Sequence, residues 1–161
     1  MCSPISPRSR KHSLASDLDR IEPASSQPFE FHATLTRLDE GLDTLHHSVE
    51  LLREKTGRSA DDRNLILFET ALAEIGSNVL IYTGRHGTSG PPVEYDLRLD
   101  ADTATASFTD KGPPIHNQMT RAMPAATSEA GRGIAIARKV LDELGYKREG
   151  EVNTWRLVKR L

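Results

Sequence analysis

The segment that most constrains the fold runs from about residue 62 to residue 83, where apolar residues recur with the period of an α-helix. They fall on two faces of that helix, which are about 110° apart at 100° per residue. One face comprises Leu65, Phe68, Leu72, Ile75 and Val79, and the other comprises Leu67, Ala71 and Ile81. A helix at a protein surface presents a single apolar stripe. We therefore predict that both faces are buried.

The remaining segments predict strands and helices in the order β-α-α-β-β-α-β-β. This order predicts an α/β sandwich with a mixed, mostly antiparallel sheet and helices on one face. Before the central helix, the other predicted elements are a strand at 29–33 and a helix at 36–55 that Gly57 ends. After it come a hairpin of strands 93–99 and 104–108 and a helix that Gly131-Arg132-Gly133 opens, that runs through Leu144 and that Gly145 closes. The chain then has a short strand at 146–148 and a final strand after a turn at Gly150.

Composition limits the classes of partner. The 161 residues carry a formal charge of −2 with a pI near 6.3, so we expect no direct binding to nucleic acid. No apolar run approaches the roughly 20 residues that cross a bilayer, and no signal peptide is visible, so we expect a cytoplasmic protein without membrane contact. Residues 1–27 are predicted to form a flexible tail, residues 28–161 one domain, and residues 113–130 a lid within it.

Glu74 and Asn78 lie four residues apart on the second helix, so their side chains project from the same face. One interpretation is a hydrogen bond between them on a partly exposed helix flank. The other is a carboxylate general base beside an amide oxygen that coordinates Mg²⁺, a cation that prefers oxygen ligands and often joins protein oxygens to nucleotide phosphates. The pair alone leaves both interpretations open.

Two glycine-containing motifs follow. Asp110-Lys111-Gly112 ends a predicted strand and is either an ordinary turn or a buried acceptor for the exocyclic amine of a base, with Gly112 allowing close approach. Gly131-Arg132-Gly133 leads into a helix, where free amide groups favour phosphate. The chain contains neither the Gly-x-Gly-x-x-Gly motif of dinucleotide folds nor a P-loop, which disfavours those two nucleotide-binding solutions.

Taken in series, Glu74-x-x-x-Asn78, Asp110-x-Gly112 and Gly131-x-Gly133 resemble the N, G1 and G2 boxes of the GHKL ATPase superfamily. The resemblance covers about residues 28–161. The short domain most resembles the anti-sigma factor serine/threonine kinases of bacterial partner-switching systems. Motifs that carry this narrower likeness include Phe108-Thr-Asp-Lys-Gly-Pro-Pro114, Gly131-Arg-Gly-Ile-Ala-Ile-Ala-Arg138 and Asn153-Thr-Trp-Arg-Leu-Val-Lys159.

The resemblance implies a Bergerat-type ATP-binding fold that uses ATP and Mg²⁺. It implies Glu74 as the catalytic base, Asn78 as a Mg²⁺ ligand, Asp110 as the adenine contact, and Gly112, Gly131 and Gly133 as shapers of the base and phosphate contacts. Arg132 is either a phosphate contact or a solvent-exposed residue at a helix start. The implied partners are an anti-anti-sigma (STAS-like) protein that accepts phosphate, a sigma factor that is sequestered, and a second copy of the chain in a homodimer.

Two positions depart from the family pattern. Tyr82 stands where the family often has histidine, and Gly76 interrupts the motif helix at a cost of roughly 1 kcal/mol. The departure at Tyr82 and the Ala- and Pro-rich lid, whose only charged residues are Arg121 and Glu129, keep open an alternative function, that of a non-catalytic GHKL-fold binding module. The pair His46-His47 suggests a phospho-accepting histidine, as in sensor kinases. Because about 27 residues precede the domain, we expect none of the dimerisation helices that such kinases use and do not favour this role.

Overall fold

A computed structural model describes residues 28–84, 91–114 and 129–161. Its elements follow the predicted order. They are β1 (Phe29–Leu35), α1 (Leu38–Thr56), α2 (Arg63–Gly84), β2 (Val93–Asp100), β3 (Thr103–Asp110), α3 (Glu129–Val140), β4 (Glu143–Glu149) and β5 (Val152–Arg160). The predicted tail at 1–27 and most of the predicted lid at 113–130 lie outside the described residues.

The five strands form one sheet in the order β1-β2-β3-β5-β4. Its pairings are all antiparallel, which confirms the predicted α/β sandwich and makes the described sheet more regular than the mixed one expected. Alternate residues of the central strands, among them Tyr95, Phe108 and Trp155, are fully buried on the face that the helices cover. The other face carries partly exposed polar residues.

Helix α2 is the middle element of the helical layer, as its two apolar faces predict. It packs against α1, against α3 and against the sheet at β3 and β5. Ala71 on the second face is fully buried, but Ile81 is 41% exposed, so the prediction was wrong at that end. The reason is length, since α3 has 12 residues against the 22 of α2 and covers only part of it.

Among the described residues, one helix is long and apolar enough to cross a bilayer by length and composition, namely Arg63–Thr83 within α2. The sequence analysis expected no such stretch. Phe68, Leu72 and Ile75 of this helix are fully buried in the folded chain. Its apolar composition is therefore accounted for by the core that it forms with the sheet and the other helices.

The ends of the first two helices match the sequence signals. Gly57 ends α1 in the left-handed conformation, with φ of 64°. Asp62 precedes α2 and accepts a hydrogen bond from the N–H of Leu65 (3.0 Å), as an N-cap residue does. This bond, together with one from Arg58 (2.8 Å), lowers the pKa of the Asp62 carboxyl.

The end of α3 differs from the prediction. The helix stops at Val140 and not at Leu144. Two residues later the N–H of Asp142 donates to the carbonyl of Val158 in β5 (2.9 Å), so the backbone leaves the helix for the sheet. Gly145, which was predicted to close the helix, consequently lies inside β4.

Candidate functional site

Glu74 and Asn78 project from α2 toward the start of α3, as their spacing predicts. Both side chains are half-buried. A Cβ atom added to Gly133 of α3 would collide with Oε2 of Glu74 and lie 3.2 Å from Nδ2 of Asn78. The two helices therefore approach each other here as closely as a glycine allows, and the N-box pair meets the second glycine of the later motif.

Neither member of this pair is satisfied within the described part of the chain. No hydrogen bond joins Glu74 to Asn78, and neither side chain forms a hydrogen bond or ion pair with another described residue. The interpretation of the pair as an internal hydrogen bond on a helix flank is therefore not supported by the geometry. A half-buried carboxylate and amide without protein partners are chemically suited to bind something else.

The start of α3 differs from the prediction that Gly131-Arg132-Gly133 opens the helix. The helix begins at Glu129, so both glycines lie inside its first turns. The first four N–H groups of an α-helix have no acceptor within it, and Gly131 carries one of them. The N–H of Gly133 comes fifth, so its contribution to the site is the missing side chain. Arg132 is exposed.

Asp110 and Gly112 form a second cluster, at the end of β3. Asp110 is only 4% exposed, and its Oδ1 accepts hydrogen bonds from the N–H of Gly112 (2.7 Å) and from Nδ2 of Asn153 (2.8 Å). Its Oδ2 accepts no hydrogen bond from any described residue. Asp110 therefore makes the turn of the first interpretation. Its second oxygen has no donor among the described residues, so the interpretation of Asp110 as an acceptor for a base stays a prediction.

Helix α2 connects the two clusters. Near its end, the hydroxyl of Tyr82 donates to the carbonyl of Pro114 (3.4 Å), and a Cβ at Gly112 would lie 3.1 Å from the Thr83 methyl group. At 1.5 Å per residue, the stretch from Glu74 to Thr83 spans about 14 Å. One helix therefore carries the carboxylate–amide pair near its middle and borders the Asp110 turn near its C-terminal end.

Three residues around Asp110 were not identified from the sequence as part of the site. Asn153 of β5 is 1% exposed, and its Oδ1 accepts hydrogen bonds from Tyr146 (2.7 Å) and Arg148 (2.6 Å) of β4. Two signals could have found them. The first is that Asn153 is a polar residue at a position that the strand alternation of Trp155 and Leu157 predicts to be buried. The second is the two-residue turn at Gly150, which places Arg148 opposite Asn153.

The donor atoms at the first cluster fit a magnesium ion that is shared with a phosphate ligand. Carboxylate and amide oxygens are hard donors, and Mg²⁺ usually takes one or two protein ligands together with waters and phosphate oxygens. No group of three His, Cys, Asp or Glu side chains that could hold a metal occurs among the described residues. Glu74 and Asn78 therefore suit a joint metal–phosphate site and do not form an all-protein cage.

Comparison with known proteins gives one family match. A model described as a histidine kinase-like ATPase domain matches residues 35–159, a range that includes each predicted site residue from Glu74 to Gly133. Among solved structures, the catalytic domain of histidine kinase ThkA is similar, with 13% identity and a TM-score of 0.44 over 83% of this chain and 95% of that one. No curated protein matches the sequence.

Proposed function

Because the chain belongs to the histidine kinase-like ATPase domain family, we propose that it is an ATP-dependent serine/threonine kinase of the anti-sigma factor type. In this proposal it transfers the γ-phosphoryl group of ATP to a Ser or Thr hydroxyl of an anti-anti-sigma (STAS-like) protein. When the anti-anti-sigma protein is phosphorylated, the kinase sequesters a sigma factor. Both events take place in the cytoplasm.

The observation that carries the proposal is the position of two clusters on one helix. Glu74 and Asn78 contact Gly133, while Tyr82 and Thr83 border the turn at Gly112. Together they cover about 14 Å of α2, from Glu74 to Thr83, a length that suits a ligand with a base at one end and a triphosphate at the other.

The base lies at the Asp110 end in this proposal. Oδ2 of Asp110 accepts a hydrogen bond from the 6-amino group of adenine. The missing side chain of Gly112 lets the turn lie against Thr83 and the Asp110 carboxylate, which shapes this end of the pocket. The γ-phosphate lies at the Glu74 end, where the N–H of Gly131 and the start of α3 favour anionic oxygens.

The transfer itself needs a base and a fixed geometry. Glu74 accepts the proton of the acceptor hydroxyl while the hydroxyl oxygen forms a bond to the γ-phosphorus. The bond from that phosphorus to the β–γ bridging oxygen breaks, and ADP leaves with the electron pair. Asn78 holds Mg²⁺ through its amide oxygen, and the ion supplies neutralisation of phosphate charge when it is bound.

Phosphoryl transfer tests the kinase proposal directly. The purified protein is incubated with Mg²⁺, γ-labelled ATP and recombinant STAS-domain proteins from the same genome. We expect acid-stable, base-labile label on one of them, as phosphoserine or phosphothreonine gives. We also expect at least tenfold less transfer with Glu74→Gln, because general base catalysis is worth about 10² to 10⁴ in rate. Glu54→Gln, at an exposed position of α1, is the matched control.

Two results would contradict the kinase proposal. One is the absence of label on every STAS protein despite measurable ATP binding. The other is acid-labile label, which indicates phosphohistidine and therefore a histidine kinase reaction.

A second candidate function is a nucleotide-responsive or nucleotide-free binding module, and the contact of Tyr82 favours it. The hydroxyl of Tyr82 donates to the carbonyl of Pro114 and is thus engaged by the chain itself. A thermal shift measurement separates the forms of this module. ATP at 100 times its dissociation constant stabilises a binding protein by about 2.7 kcal/mol, whereas no shift at any ATP concentration indicates a module without nucleotide.

A further inference from the structure

A row of three polar side chains crosses the end of the sheet beside the candidate base pocket. Asp110 of β3 pairs with Asn153 of β5, and Asn153 pairs with Arg148 of β4, the strand at the edge of the sheet. All three lie on the face that the helices cover. The row joins an edge strand to the buried carboxylate through one amide side chain.

Arg148 is the outermost member of this row and makes two contacts with one nitrogen. Its Nη1 donates to Oδ1 of Asn153 (2.6 Å) and to the backbone carbonyl of Gly112 (3.0 Å). The amide Nδ2 of Asn153 donates to Oδ1 of Asp110 (2.8 Å) and to the same carbonyl of Gly112 (3.1 Å). A charged donor therefore orients the amide that orients the carboxylate, and it also holds the turn that follows.

The far end of the turn is held from the opposite side. Tyr82 of α2 donates to the carbonyl of Pro114, and the two consecutive prolines at 113 and 114 restrict the backbone between the two contacts. The segment from Asp110 to Pro114 is thus fixed by β4 and β5 at one end and by α2 at the other. Oδ2 of Asp110 is the oxygen of this carboxylate to which no described residue donates.

From these contacts we infer that Arg148 is a positioning residue for base recognition. It sets the direction of Oδ2 of Asp110, through Asn153 and Gly112, and thereby determines how strongly the site prefers a purine with a 6-amino group. The inference rests on the proposed binding of ATP at this site. Arg148 itself touches neither the base nor the phosphates.

Loss of Arg148 should leave the fold intact, because its two acceptors keep other donors. Oδ1 of Asn153 retains the hydroxyl of Tyr146 (2.7 Å), and the carbonyl of Gly112 retains Nδ2 of Asn153. Neither group becomes a buried acceptor without a partner, which is the usual origin of a large loss of stability. The effect of the substitution should therefore appear in nucleotide preference.

The test compares the dissociation constants of ATP and of purine ribonucleoside triphosphate, which lacks the 6-amino group, for the full chain with Mg²⁺. We expect the wild-type protein to prefer ATP by about tenfold or more, as a hydrogen bond to a charged group supplies. Arg148→Met keeps the length of the side chain and removes its donors. We expect it to lose most of this preference by weakening ATP binding, with the analogue bound within about twofold of wild type.

Arg148→Ala serves as a second variant, should Arg148→Met not fold, with the same expected result. Arg156→Ala is the matched control, because Arg156 pairs with Glu143 between the same two strands and is half-exposed on the other face. It should retain the ATP preference.

Two outcomes overturn the inference and leave ATP binding in place. These are an unchanged ATP preference in both Arg148 variants, and an equal loss of affinity for both nucleotides, which a merely structural residue would produce. A wild-type protein that binds no ATP overturns the proposed function, and the inference fails with it. A reduced preference that is confined to the Arg148 variants supports the inference.

Discussion

At the scale of single residues, the missing side chain of Gly133 lets α3 lie against the carboxylate of Glu74. We predict that Gly133→Ala folds normally but performs phosphoryl transfer at least tenfold more slowly, because its methyl group displaces the Glu74 carboxylate. That carboxylate is the end of a flexible side chain, so it can move without unfolding the protein. The measurements are the melting temperature and the rate of label transfer.

Gly145→Ala is the control for Gly133→Ala. A Cβ at Gly145 meets its nearest atom at 3.9 Å, an ordinary van der Waals distance. Transfer at the wild-type rate by Gly133→Ala would show that the Glu74 carboxylate is not needed in its present position.

Asp110 supports a second prediction at this scale. Asp110→Asn should weaken ATP binding about tenfold or more, because an amide that keeps its oxygen toward Asn153 and Gly112 presents an NH₂ group to the adenine amine. The measurement is the dissociation constant of ATP, with Asp102→Asn in the exposed β2–β3 turn as the control. Equal affinity for ATP in the two variants would show that Asp110 does not form the base pocket.

At the scale of elements, α1 and α2 approach closely at Gly76. A Cβ there would lie 2.5 Å from Cδ1 of Leu45 and 3.3 Å from Cζ of Phe108. We predict that Gly76→Ala lowers the free energy of unfolding by about 1 kcal/mol, since overpacking costs about 1 to 3 kcal/mol and the gain in helix propensity is about 1 kcal/mol. Chemical denaturation measures the change.

The same substitution in a Leu45→Ala background provides the control. With the colliding side chain shortened, Gly76→Ala should stabilise the helix by up to about 1 kcal/mol. An equal loss of stability in both backgrounds would mean that the cost does not come from the contact with Leu45.

The contact between α1 and α2 also predicts a pH dependence. Nδ1 of His46 lies 2.5 Å from Oε1 of Glu69, and this hydrogen bond, with Glu50 nearby, raises the pKa of His46 above 6.5. The stabilisation is therefore fully present below about pH 6.5 and is lost as the pH rises through the raised value. The His46 side chain is 59% exposed, so the stabilisation that this hydrogen bond contributes should stay below about 1 kcal/mol.

Unfolding free energies at about pH 6 and about pH 9 test this dependence. The difference between wild type and His46→Gln should be larger at the lower pH. The neighbouring His47 forms no ion pair with the described residues, so His47→Gln controls for the loss of an imidazole. A difference that grows toward pH 9 would contradict the sign.

How far the sequence predicts an element depends on whether its ends are decided locally. The start of α2 was predictable, because Asp62 contacts the N–H group three residues later. The end of α3 was not, because Leu144 fits both the helical period before it and the strand alternation after it. The choice is made by the hydrogen bond from Asp142 to Val158, which lies in a distant strand.

At the scale of the whole molecule, the sheet order explains which parts of the site the sequence could reveal. The spacing within α2 placed Glu74 and Asn78 together, because that spacing is local. β5 lies between β3 and β4, and this insertion brings Asn153 and Arg148 to Asp110. Nothing within the hairpin of β4 and β5 indicates that β3 is its neighbour, so the row was found only in the folded chain.

The central claim concerns the whole site, namely that one helix presents an acid–amide pair to a magnesium-bound triphosphate. Calorimetric titration of ATP with Mg²⁺ and with a chelator tests it most directly, on the wild type, on Asn78→Ala and on the control Asn64→Ala, which alters an exposed residue of the same helix. The account predicts that the wild type and Asn64→Ala bind ATP more tightly with Mg²⁺, and that Asn78→Ala loses about tenfold in affinity together with the Mg²⁺ dependence. ATP binding that is the same in all three proteins, with or without Mg²⁺, would contradict it.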